Sequence, residues 1–204
     1  MNQTTKISKG PQRILVLGGA RSGKSAHAEK LADELAHRFA AFGAKEVIYI
    51  ATARPSDSDV EMAERIAQHR RDRPAKWITV EEPLGLGDAI RQWSGPNRVV
   101  LVDCLTVWLS NMMFSEGDHY PDVGRITLPT LYHQLRADFL NTAAQSEGDL
   151  ILVSNEVGMG IVPLGAVSRC YADEAGRLNQ DVAALCEHVT LVAAGLPLAL
   201  KGSI

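Results

Sequence analysis

Apolar residues fall along the chain in two patterns: short unbroken runs, and longer stretches in which they return every three or four positions. Ile14 to Leu17, Glu46 to Ala51, Arg98 to Val102 and Asp149 to Val153 are runs of the first kind. Mostly aliphatic and β-branched runs of this length, bounded by turn residues, read as strands buried on both faces. Ala26 to Ala41, Asp59 to Arg71, Leu128 to Gln145 and a stretch from about Ala166 to Glu187 read as helices. In the Asp59 stretch, acids come early and bases late, which suits the helix dipole, and Pro74 ends it. Shorter expectations are a strand at Trp77 to Val80 and a helix at Asp88 to Trp93, following Gly85-Leu86-Gly87. Leu105 to Phe114 reads as a helix that is apolar on nearly all sides, hence buried. Ser115 to Ile126 holds Gly117, Pro121 and Gly124 without a period and reads as a loop. His188 to Ala193 and Leu198 to Lys201, separated by Gly195 and Pro197, predict a closing hairpin. Strands alternating with helices predict an α/β fold of three layers: a mostly parallel central sheet with helices on both faces.

One turn in this pattern carries chemistry. Gly18-Gly19-Ala20-Arg21-Ser22-Gly23-Lys24-Ser25 fits G-x-x-x-x-G-K-[ST] and falls between the first strand and the first helix. That context turns a glycine-rich turn into an anion site, because loop N–H groups and the first helical turn all point donors at one phosphate. Lys24 is expected to reach the β- and γ-phosphates and the Ser25 hydroxyl to take a Mg²⁺ position. The fold expectation sharpens accordingly to the P-loop NTPase type. Ligands of such sheets lie at the carboxyl ends of the strands.

Composition bounds the remaining possibilities. A chain of 204 residues suits a polar tail at 1–11 and one nucleotide-binding domain at 12–204. Hydrophobic residues make up 46% and charged residues 22%, ordinary for a globular protein. The formal net charge of −3 argues against broad nucleic-acid or anionic-membrane binding. Cys104, Cys170 and Cys186 have neither a C-x-x-C pair nor metal-ligand spacing, so reduced structural thiols and a cytoplasmic location are expected. The first eleven residues are polar and lack the apolar core of a signal peptide, and no run is long enough to cross a membrane.

Several residues stand where they can serve the nucleotide. Asp103 closes the RVVLV strand, where an acid meets the Mg²⁺ of a P-loop nucleotide; the plain alternative is an ordinary strand-end acid. Glu156 and Asp149 are weaker candidates for that task, and Asp149 opens its strand at the opposite edge of the sheet. His69 shares a helical face with Met62 and Ile66, and it is either aimed at the nucleotide or a satisfied structural histidine. Arg70, Arg71 and Arg73 either grip a triphosphate or balance a helix end. Ser154 to Pro163 (SNEVGMGIVP) leaves a strand end with glycines that allow close backbone approach or serve a sharp connecting loop, and Asn155 and Glu156 there are candidate substrate contacts. Arg169, Arg177 and Asn179 read as packing or surface residues.

Taken together, GGARSGKS, the IAT closing the second strand, EMAERIAQHRRDRP at Glu61 to Pro74, SNEVGMGIVP and AGRLNQ at Ala175 to Gln180 resemble one family. It is the bifunctional adenosylcobinamide kinase / adenosylcobinamide-phosphate guanylyltransferase family of cobalamin biosynthesis, and the resemblance runs from Ile14 to Lys201. It implies that a nucleoside triphosphate, ATP or GTP, phosphorylates the aminopropanol hydroxyl of adenosylcobinamide. GTP then places GMP on an enzyme histidine with release of pyrophosphate, and the substrate phosphate displaces that histidine. His69 is the one histidine of the matching run and takes the guanylyl-carrying role. The resemblance also implies GTP contacts from Ala51, Thr52, Ala53, Arg70, Arg71, Asp72, Arg73, Glu81 and Asp103, and a homotrimer. On the residues alone, two rival readings stand beside it: a P-loop kinase of another small hydroxylated metabolite, and a nucleotide-binding switch without a substrate.

Overall fold

The apolar runs become strands of one sheet. The computed structural model describes residues 10–38, 43–54, 74–117 and 119–202. Its strands are β1 (Arg13–Gly18), β2 (Glu46–Ala51), β3 (Ile78–Glu81), β4 (Arg98–Asp103), β5 (Asp149–Asn155), β6 (His188–Ala193) and β7 (Leu196–Lys201). The helices among the described residues are α1 (Lys24–His37), α2 (Leu86–Trp93), α3 (Leu105–Met113), α4 (Thr130–Ala144) and α5 (Ala166–Leu185). The helix expected at Asp59 to Arg71 lies outside the described residues.

The seven strands lie in the order β3-β2-β4-β5-β1-β6-β7. Every pairing is parallel except that of β6 with β7. Because side chains alternate along a strand, each buried run feeds two cores. Leu15, Ile48, Ile50, Val100, Val102, Leu150 and Leu152 face α2 to α5, with Trp108 and Phe139 packed edge to face at 4.9 Å. Ile14, Val16, Val47, Tyr49, Val99, Leu101, Ile151 and Val153 face α1, which contributes Ala28, Leu31, Ala32, Leu35 and Ala36. The result is the three-layer α/β arrangement of P-loop proteins. A row of β-branched and aliphatic residues buried on both faces is what leaves no polar face on these strands.

The structure moves several boundaries. α1 begins at Lys24 and not at Ala26, because the P-loop lysine is already in helical conformation. β5 runs on to Asn155, two residues past the apolar run, since β1 continues to pair with it as far as Gly18. The closing hairpin turns on Ala194 and Gly195, both at positive φ, so Pro197 lies inside β7 and does not separate the strands. A proline is tolerated there because β7 is the sheet edge and its outward N–H positions need no partner. At the opposite end of the sheet, Asp149 is buried. It accepts hydrogen bonds from Gln12 N and Lys45 Nζ, both at 2.8 Å, which fixes the amino-terminal edge.

Candidate active site

The phosphate loop is shaped by contacts that only small residues permit. A Cβ on Gly18 would lie 2.6 Å from Val192 O and 2.4 Å from Ser22 Oγ. Gly23 has φ 91° and faces Gly195 of the β6–β7 turn, whose N–H donates to Ser22 O at 2.8 Å. The terminal hairpin therefore braces the loop from below. We expect Gly18→Ala to destabilise the fold by about 1–3 kcal/mol, because the obstructing carbonyl belongs to a central strand and cannot move cheaply. Urea unfolding reads this out, and an unchanged midpoint would contradict it.

The loop's electrostatics suit an anion. α1 starts without a side-chain cap and without an acid in its first turn, so its orphan N–H groups and dipole are left for a ligand. Lys24 is buried, 6% exposed, and its Nζ donates to Gly19 O at 3.2 Å across the loop. Gly19, Ala20 and Arg21 are exposed at the mouth, with Arg21 at φ 56°, while Ser22 is buried and Ser25 half-buried. An ammonium, a helix N-terminus and a ring of backbone donors thus converge on one exposed mouth.

The strand registers carry the other expected residues to the same edge. Glu81 pairs with Ala51, Ala51 with Asp103, and Gly18 with Asn155, so all five stand at carboxyl ends of adjacent or nearly adjacent strands. Asp103 lies on the face of the sheet shared with Leu101 and Tyr49, which is the face covered by α1, whose second residue is Ser25. Its Oδ2 accepts a hydrogen bond from Tyr49 Oη at 2.9 Å. Tyr49 was not singled out from the sequence. The signal was a lone hydroxyl in an otherwise aliphatic strand, one alternation before its end.

Thr52 is fully buried and fully used by the protein. Its N–H donates to Asp103 O at 3.3 Å, its Oγ1 donates to Cys104 O at 2.8 Å and accepts from Cys104 N at 3.0 Å, and its carbonyl accepts from Asn111 Nδ2 at 2.7 Å. The geometry gives Thr52 a positioning role: it clamps the exit of β2 to the exit of β4 and so fixes where Asp103 stands. Ala51 and Ala53 beside it are half-buried. Cys104 is no nucleophile. Burial first, and then the charge of Asp103, push its thiol above the usual value, so it stays protonated and serves as a small core residue touching Thr106 Oγ1 at 3.2 Å.

At the end of β5 a second network holds Asn155. Its Nδ2 donates to Thr106 Oγ1 at 2.7 Å, and its carbonyl accepts from Asn179 Nδ2 at 3.1 Å. Asn179 Oδ1 in turn accepts from Ser154 Oγ at 2.6 Å. Asn179 is thus a positioning residue for the strand end. In the sequence it reads as a packing or surface residue, because a helix-interior asparagine gives no sign of what it faces. Asn155 Oδ1 is buried without a hydrogen-bond partner among the described residues. Glu156 N donates to Gly18 O at 3.1 Å, and its Oε1 accepts from Gly158 N at 2.5 Å, so this residue starts the β5–α5 loop against the P-loop strand. His69, Arg70, Arg71, Asp72 and Arg73 lie outside the described residues.

Comparison with known proteins agrees with this geometry. The profile described as cobinamide kinase / cobinamide phosphate guanyltransferase matches residues 14–200. A bifunctional adenosylcobalamin biosynthesis protein of Pseudomonas aeruginosa is 47% identical over 190 residues, covering 93% of this chain and 98% of the relative. Proteins described in the same terms are 40% identical in Escherichia coli, over 92% of this chain and 99% of the relative, and 38% identical in Salmonella typhimurium, with the same shares. Among solved structures, the flagellar accessory protein FlaH from Methanocaldococcus jannaschii aligns with a TM-score of 0.48 at 12% identity, over 95% of this chain and 80% of that one. The profile match runs from β1 into β7 and takes in the phosphate loop, the Asp103 edge and the Asn155 network. The chain belongs to the cobinamide kinase / cobinamide phosphate guanyltransferase family.

Proposed function

We propose that this enzyme runs two transfers on one nucleotide site. In the first, the aminopropanol hydroxyl of adenosylcobinamide attacks the γ-phosphorus of ATP or GTP, giving the phosphate ester and a nucleoside diphosphate. In the second, a His69 ring nitrogen attacks the α-phosphorus of GTP, and the bond to pyrophosphate breaks. The terminal phosphate of adenosylcobinamide phosphate then attacks the guanylyl phosphorus, the bond to His69 breaks, and adenosylcobinamide-GDP leaves. The observation that carries this reading is the convergence of buried Lys24, the uncapped α1 terminus and Asp103 at one sheet edge, within a chain of this family.

The protein's own groups have definable tasks. Loop amides and Lys24 hold the phosphate oxygens and offset the charge that builds on them during each displacement. Arg70, Arg71 and Arg73 are suited to the same task, with planar donors matched to phosphate. Neutral imidazole is a good nucleophile near pH 7, and its phosphoramidate is a reactive donor, which makes His69 a sensible relay. Ser25 and Asp103 would hold Mg²⁺; a hydroxyl and a carboxylate on the α1 face are the hard oxygen donors it takes, alongside nucleotide phosphates and water. Bound there, Mg²⁺ supplies neutralisation of phosphate charge. Ala51, Ala53 and Glu81, on the same edge, are placed to meet the rest of GTP.

We place the protein in the cytoplasm, acting without nucleic acid, as a homotrimer. Three free cysteines support the setting. No helix among the described residues is long and apolar enough to cross a membrane. Leu196, Leu198 and Leu200, all more than half exposed on the edge strand β7, offer an apolar surface for subunit contact.

Asp103→Asn tests the metal assignment. The amide keeps an oxygen for Tyr49 Oη, so the strand end is retained, but it is a poorer ligand for a hard cation. We expect the magnesium midpoint of both reactions to rise by about tenfold, or ~1.4 kcal/mol. A titration with unchanged midpoint and maximal rate would leave Asp103 as a structural strand end.

A further inference from the structure

A groove opens beside the loop that follows β5. Between α3, α5 and the loop joining β5 to α5 lies a groove of about 380 Å³, lined by Phe114, Val157, Pro163, Val167, Tyr171 and Ala172 with two serines. None of the described residues lining it is charged. The loop above it is fastened at both ends: Glu156 is tied to Gly18 and Gly158, and Arg169 Nη1 donates to Pro163 O at 3.2 Å and to Leu164 O. Between these anchors Met159 is 79% exposed, Ile161 99% and Val162 71%. A pinned loop that turns aliphatic side chains to water, beside an uncharged groove, is the signature of a surface waiting for an apolar ligand.

The groove connects to the phosphate loop through Tyr171, Thr106 and Asn155. Tyr171, in the groove wall, donates from Oη to Thr106 O at 3.0 Å. Thr106 Oγ1 accepts from Asn155, and Asn155 is the register partner of Gly18. A ligand seated in the groove therefore lies alongside the strand end from which the phosphate cradle begins. The volume is at the small end of the roughly 300–1,000 Å³ typical of small-molecule sites, so it takes one edge of a large flat molecule and not the whole of it.

We propose that this groove and the exposed 159–162 segment seat the corrin ring of the substrate, so that its hydroxyl-bearing arm runs past Asn155 to the phosphate loop. The assignment rests on the kinase reading given above. A corrin ring matches the surface chemically: its methyl-studded edge is apolar, its periphery carries neutral amides, and the groove offers no charge to desolvate. The amides find water and backbone groups along the exposed loop, whose glycines at 158 and 160 leave its backbone open.

Two kinds of variant test the seat without touching the nucleotide machinery. Ala172→Trp fills the groove, and Ile161→Asp with Val162→Asp changes side chains that already lie in solvent, so the fold is not at risk from the second pair. Binding of adenosylcobinamide is followed by equilibrium dialysis and visible absorbance, nucleotide binding by a fluorescent GTP analogue, and subunit mass by sedimentation velocity. Both variants are expected to weaken corrinoid binding and raise its KM by about tenfold or more, with GTP affinity within about twofold of the parent and subunit mass unchanged. Unchanged corrinoid affinity in the Ile161/Val162 variant, with a parent enzyme that phosphorylates adenosylcobinamide normally, would overturn the seat. A drop in subunit mass with corrinoid affinity intact would overturn it too, and would assign the face to contact with a second copy. A parent enzyme that neither binds nor phosphorylates adenosylcobinamide would instead remove the kinase reading, and the seat with it.

Discussion

An enzyme carrying His69→Ala is expected to phosphorylate adenosylcobinamide at close to the parent rate and to transfer no guanylyl group. Alanine offers no nucleophile, and losses on deleting a covalent catalyst run to roughly 10⁴-fold or more. The kinase step is spared because its acceptor hydroxyl attacks the γ-phosphorus directly and never meets the imidazole. The asymmetry follows from two reactions at different phosphorus atoms of a similarly held nucleotide. Separate assays, one for adenosylcobinamide phosphate and one for pyrophosphate release from GTP, read it directly. Equal loss in both would make His69 a residue of the shared fold or site, and no loss in either would remove it from the chemistry.

Lys24→Ala, by contrast, should damage both reactions together. The ammonium is buried at the start of α1 and aimed across the loop at Gly19 O, where phosphate oxygens would meet it. Removing a desolvated, charge-assisted contact to phosphate costs about 2–4 kcal/mol of transition-state stabilisation, roughly 30- to 1,000-fold in rate. Its bond to Gly19 O also braces the loop, so about 1 kcal/mol of stability goes with it. Steady-state rates of the two reactions decide the point. A near-parent rate in either would mean that the two transfers do not share a cradle.

The hydrophobic pattern made most of the fold readable, for a physical reason. Strands buried on both faces leave continuous apolar runs, and helices that cover them leave a three-to-four repeat, so element type is written locally. Element ends were less legible. Leu17 ends the first apolar run but Gly18 still pairs with β5, and Pro197 marks a break in sequence while edge position lets it stay in β7. The phosphate loop was legible because its glycines are demanded by close approach, as the Val192 carbonyl beside Gly18 shows. The supports of the site were not. Tyr49, Thr106 and Asn179 act on Asp103 and Asn155 through contacts between distant parts of the chain, and one hydroxyl or amide within an ordinary strand or helix carries no local mark of its partner. Thr52 carries a further task that the sequence does not mark: it ties the exit of β2 to Asp103 and Cys104 at the exit of β4, and its carbonyl to Asn111 of α3.

The covalent relay is the claim on which the rest depends, and one labelling experiment reaches it. The enzyme is incubated with Mg²⁺ and GTP labelled at the α-phosphorus, without any corrinoid, and the protein is then digested and its peptides weighed. The predicted result is about one guanylyl group per chain, released pyrophosphate in equal amount, and a modified peptide containing His69 whose bond is labile in acid and persists in base, as a phosphoramidate does. A protein that stays unlabelled, or one whose label maps to another residue, would contradict the account.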